Sequence, residues 1–338
     1  MKSLQFDIYK YNSINNWRGI VEMAMTLTPL ILGIYIMYVA TSNNYWPLYL
    51  LTLPLGLLFT RLFIILHDLA HGNLFKPKRY NDRVGIFIGI LLLTPFYFWK
   101  KAHIIHHSSG GNTDKRPWKG DIQLLTVNEY RAKNKLRQIV YKFYRNSLVM
   151  FFLGSIYVFM IEQRFFIKRP GFGKKEHRSI IMTNIGILIL YGLIITLCGI
   201  KFYLLAILVP QWIGGAIGIY LFYVQHNFKT RYFVPGKEWT LKNSALLGST
   251  FYALPQPFKW LTGNIGYHHV HTLLPRIPFY NLPKCHIENP IFQTAPQFGL
   301  KDMNSLISLK LYDESKGHMI TWKEYQANYP FDSIKKSI

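Results

Sequence analysis

The chain has 338 residues, half of them apolar and 16% aromatic; only 16% are charged, and 39 Lys and Arg against 16 Asp and Glu give a net charge of +23. Soluble domains usually carry about 25% charged residues, so this composition excludes a disordered chain and an ordinary soluble globule. An apolar, basic chain points to a membrane protein whose basic loops face an anionic leaflet. Nucleic acid is not expected as a partner, because the apolar runs need burial that basic loops do not supply.

Residues 1–19 are polar and show no cleavable leader pattern, so the first apolar run is expected to stay in the mature protein. Four runs reach the roughly 20 residues that a helix needs to cross a hydrocarbon core: 20–40, 46–66, 180–200 and 202–224. Glu22 lies near the start of the first and Arg61 near the end of the second, and both are expected to snorkel toward a headgroup layer. The runs pair into two hairpins, joined by 41–45 and by little more than Lys201. With those links outside, every Lys and Arg except Lys201 and Arg61 falls in the segments 1–19, 67–179 and 225–338. The positive-inside rule then puts both termini in the cytoplasm.

Two shorter apolar stretches, 84–98 and 148–161, read as interfacial or half-inserted helices, or as helices packed on the cytoplasmic part. Were both to cross, His67 and His103 would fall on opposite sides. The fold expected is all-α and integral to the membrane. It is one domain over 1–338, with four transmembrane helices in two hairpins and a helical cytoplasmic cap. Cys198 and Cys285 are too few for a disulfide scaffold or a Cys-rich zinc site and are expected to be free thiols.

The chemistry is carried by histidines. Among the 12 in the chain, His67 and His71 follow the second span. His103, His106 and His107 stand together, His226 follows the fourth span, and His268, His269 and His271 form the last set. On a helix, residues four apart are about 40° apart around the axis and residues three apart about 60°. Each set can therefore offer its imidazoles from one face, all on the deduced cytoplasmic side. Neutral imidazole is a good ligand for iron, zinc, copper and nickel. One zinc takes three or four ligands, so this many histidines suit two metal ions. No Glu-x-x-His motif of the soluble carboxylate di-iron type stands beside them. An all-histidine dinuclear site at a bilayer points to iron, O2 and an apolar substrate. His177, His286 and His318 fall in no set and read as ordinary surface residues.

The stretches HDLAH (67–71), HIIHH (103–107) and HHVHT (268–272) resemble the three histidine boxes of membrane fatty acid desaturases. The likeness to bacterial acyl-lipid desaturases extends over 103–131, 222–228 and 261–282, and covers about 15–300. It implies that His67, His71, His103, His106, His107, His226, His268 and His271 ligate two iron ions. Thr272 departs from the pattern, since the family has histidine at the last position of the third box. Three accounts of it stand: weaker affinity at one iron with water in the gap, an inactive relative, or an introduced change. His269 would compensate only on a rotated or irregular helix. Asp68, between two ligands, is a candidate acceptor for an imidazole N–H. Asn264, Asp114 and Asp121 lie in family-like stretches and could brace the histidines.

The reaction implied is O2-dependent conversion of a methylene pair in a lipid acyl chain to a cis double bond. No dinucleotide fingerprint, iron–sulfur cysteine set or fused haem domain supplies electrons. A separate carrier is expected, ferredoxin in first place, with flavodoxin or cytochrome b5 as alternatives. The alternatives for the whole chain are a hydroxylase or ketolase of the same superfamily and a non-catalytic lipid-binding or sensing relative. The expected location is a bacterial cytoplasmic membrane.

Overall fold

A computed structural model describes residues 10–115, 122–166 and 170–330. Helix α1 spans Asn16–Ser42, with Asn15 as its N-cap accepting from the Arg18 amide. A 3-10 turn, Trp46–Leu51, leads straight into α2, Thr52–His71. Gly72 ends α2 in the left-handed conformation (φ 77°), which costs a glycine little. Later come α6, Lys174–Cys198, and α7, Val209–His226, the latter continuing a helical run from Ile200. These four runs are long and apolar enough to cross a membrane.

Between the two hairpins lie two bent pairs. The first is α3, Lys78–Leu91, with α4, Phe96–Ser109, meeting at 104°. The second is α5, Lys135–Tyr144, with 149–164, meeting at 79°. Counting each pair as one span would give up to six crossings. The apolar stretch 84–98 is thus split across a corner, at which Leu93 takes a positive φ of 55°. The chain turns back there and brings the His67 and His103 rings to 4.6 Å of each other.

Close packing of α2 on α7 sets the frame. Gly214 lies so near α2 that an added Cβ would stand 2.8 Å from the Gly56 carbonyl oxygen. The Thr60 hydroxyl donates to the carbonyls of Gly56 and Gly214, tying the two helices together. Small residues that let backbones approach are the usual device for packing helices in lipid.

Two expectations need correction. Glu22 and Arg61 do not reach for headgroups; both are buried and pair with each other across α1 and α2. Arg61 also donates to Thr26 Oγ1 and the Trp260 carbonyl, with its guanidinium 4.0 Å from the Trp260 ring centre. A buried charge with a partner within reach is held by that partner rather than by solvent. The protein is mostly helical but not all-α. Phe251–Ala253 pairs in parallel with Gln297–Gly299, and Leu309–Asp313 pairs antiparallel with His318–Thr321.

Candidate metal centre

Four elements deliver the histidines. His67 and His71 sit on the last turn of α2, and His103, His106 and His107 on α4. His226 is the last residue of α7. A short helix, α8, Leu241–Leu246, supports α9, His268–Leu273, which carries the third box. The rings gather in two groups. His67, His71, His103, His107 and His271 form one; His106, His226 and His268 form the other. Within each group the candidate ligand atoms lie within 4.8 Å of one another. His71 is half-buried and the other seven are 9% exposed or less.

The split follows helical geometry. On α4, His103 and His107 are one turn apart and face the first group, while His106 is rotated to the second. On α9, His271 joins the first group and His268 the second. The groups are neighbours, with the His106 and His107 ring centres 5.7 Å apart.

The donor set fits metal ions. His107 Nε2 lies 2.9 Å from His103 Nε2 and 3.1 Å from His271 Nε2. In the other group, His226 Nε2 lies 3.1 Å from His106 Nε2 and 2.9 Å from His268 Nε2. Ligands about 2.0–2.1 Å from one ion and at right angles around it would be about 3 Å apart. His226 Nδ1 faces the Gly248 carbonyl at 3.1 Å; a carbonyl only accepts, so the proton sits on Nδ1 and Nε2 offers a lone pair. His67 Nε2 and His71 Nε2 are buried without a hydrogen bond, which is costly unless something coordinates them. Burial first, then the neighbouring imidazoles, hold His268 and His271 well below the ordinary imidazole pKa. Both are therefore neutral, the form that ligates.

The other candidates are placed as follows. Asp68 is buried, with Oδ1 3.4 Å from His67 Nδ1 and Oδ2 accepting the Phe279 amide at 2.7 Å. Asn264 donates to the Phe279 carbonyl, so residue 279 is held on both sides. Asp114 instead accepts from the Gly236 amide, and Asp121 lies outside the described residues. His269 belongs to neither group. Its ring faces Thr250 O and His286 Nδ1, and burial lowers its pKa to about 3. Thr272 is buried one turn beyond His268, donating to its carbonyl. Its contact with His269 makes His286 no ordinary surface residue, whereas His177 is exposed, with its ring stacked on Phe166.

A cavity of about 560 Å³ reaches the centre. Its walls include Phe59, Phe63, Met150, Phe159 and Trp212, and His67, His103 and His268 line it too. That volume is in the range of small-molecule pockets. Trp99 also lines it and stacks on His103, ring centres 4.7 Å apart. Sequence reading missed Trp99 and Gly218; their only signals were a tryptophan one turn before the second box and the Gly214, Gly215, Gly218 cluster on α7.

The profile of the fatty acid desaturase family matches residues 44–301. The chain belongs to the fatty acid desaturase family. It is 37% identical to a fatty acid desaturase of Bacillus subtilis, over 94% of this chain and 90% of that one. It is 26% identical to an sn-1 oleoyl-lipid 12-desaturase of Synechocystis, over 68% and 65%. A chloroplastic omega-3 fatty acid desaturase of Sesamum indicum is 26% identical, over 72% of this chain and 55% of the plant protein. This desaturase is thus an oxidoreductase, and its long apolar helices fit a membrane protein.

Proposed function

We propose that this desaturase is a multi-pass membrane enzyme that uses O2 and two iron ions to introduce a cis double bond into acyl chains of membrane lipids. The carrying observation is that two groups of convergent imidazoles meet the wall of an apolar cavity. His67, His71, His103, His107 and His271 would hold one ion; His106, His226 and His268 the other. Bound iron would supply O2 activation and hydrogen removal from an unactivated C–H bond, chemistry beyond amino-acid side chains. The chain's own residues do the rest. Phe59, Phe63 and Phe159 grip a hydrocarbon tail and exclude water, and His67, His103 and His268 fix which methylenes lie against the centre.

An intact lipid is favoured as substrate, in keeping with the Synechocystis relative. Electrons come from a separate carrier, ferredoxin first, with flavodoxin or cytochrome b5 as alternatives; the basic face would steer an acidic one. Four crossings with both termini in the cytoplasm of a bacterial membrane are supported by the basic-residue distribution and by the return of the chain between α3 and α4.

The test is expression with ferredoxin in a host that has no desaturase, followed by lipid extraction and location of double bonds in the methyl esters. New cis-unsaturated chains are expected, and they should fall below 1% of that level, a loss of about 100-fold, in His67→Ala. Hydroxylated or ketone products alone would overturn desaturation in favour of the hydroxylase reading. No product, from a chain that also binds no iron, would favour the non-catalytic reading that Thr272 suggests.

A further inference from the structure

The di-iron reading, on which this inference rests, puts the two ions in unequal surroundings. One group brings five imidazoles and the other three. One turn beyond His268 on α9, at the third-box position where the family pattern has histidine, stands Thr272. Its hydroxyl donates to the His268 carbonyl at 2.9 Å and lies 3.2 Å from Ser249 Oγ. Ser249 and Thr272 are both buried. A hydroxyl bonded to a backbone carbonyl and to a second hydroxyl is a poor replacement for an imidazole lone pair. His269 cannot stand in, since its ring is engaged by Thr250 and His286 on another side of α9. Among the described residues, no carboxylate or thiol joins the three histidines.

Three protein ligands with one position open is how many catalytic metal sites are built, whereas fully ligated sites hold their ions as structure. We infer that the two metal positions differ in hold. The position at His67, His71, His103, His107 and His271 retains its ion. The position at His106, His226 and His268 exchanges its ion and leaves one coordination place, beside Ser249 and Thr272, to a small exogenous ligand. Losing a group that merely supports a ligand costs about 10–100-fold in metal affinity. Losing the ligand itself costs at least that, so the two positions should differ by roughly 100-fold or more.

The test counts metal and does not depend on turnover. The full-length protein in detergent is loaded with Fe2+ without oxygen and dialysed against rising chelator, and iron per chain is measured by mass spectrometry. Two separate losses are expected, from about two ions to about one and then to none, with the second at roughly 100-fold higher chelator. Thr272→His should move the first loss up toward the second. A histidine ring in this buried place can cost folding, so Ser249→Ala/Thr272→His is measured too, to give it room. His226→Ala should remove only the easily lost ion. A single loss of both ions together, or a His226→Ala protein that loses the retained ion, overturns the inference and leaves the di-iron reading intact. A folded native chain that takes up no iron under any loading overturns that reading itself.

Discussion

At the scale of single residues, two glycines one turn apart on α7 have opposite roles. Gly218 lines the cavity, and a Cβ added there would meet nothing within 4 Å. Gly214 is pressed against the Gly56 carbonyl. Gly218→Leu is therefore expected to fold normally but narrow the cavity, shifting product from long to shorter acyl chains by about tenfold, or ~1.4 kcal/mol. Gly214→Ala should instead lower stability by about 1–3 kcal/mol through overpacking of α2 on α7. Chain-length analysis of the products and thermal unfolding in detergent separate the two effects. A Gly218→Leu protein with an unchanged product profile would remove the cavity from the reaction. The histidines were legible in the sequence because their spacings of three and four residues state their own geometry. Ser249 and His286 were not, because each acquires meaning only from a partner some twenty residues away that the chain alone does not place.

The elements show the same division. The four long apolar runs could be read directly, since length and composition suffice to make them helices. The corner between α3 and α4 was missed although Pro95, the N-cap of α4, marks it, since proline does not continue a preceding helix. The contact between Glu22 and Arg61 could not be read, since their two charges each read as tolerable near a span end. Their pairing makes a specific expectation. Glu22→Leu leaves the Arg61 guanidinium buried without its carboxylate and should cost about 3–5 kcal/mol. Glu22→Leu/Arg61→Met should recover more than half of that, because replacing a whole buried pair with apolar groups is far milder than breaking it. Equal destabilisation of the single and double variants, measured by thermal unfolding in detergent, would show that the pair does not act as a unit.

For the whole molecule, the proposed orientation puts the 41–45 link outside and residue 237 in the cytoplasm. In a chain with Cys198 and Cys285 replaced by alanine, Asn43→Cys should react with a membrane-impermeant maleimide on intact cells. Lys237→Cys should react only after the cells are opened; both positions are exposed on the protein surface. The reverse labelling pattern would invert the topology. The arrangement of the centre has a further consequence. Because α4 supplies His103 and His107 to one group and His106 to the other, and α9 divides His271 and His268 in the same way, neither helix can turn or slide without disturbing both groups at once. The pitch of two α-helices thus acts as a ruler for the separation of the paired ions, so a one-residue insertion within either box should abolish the centre as a whole rather than half of it.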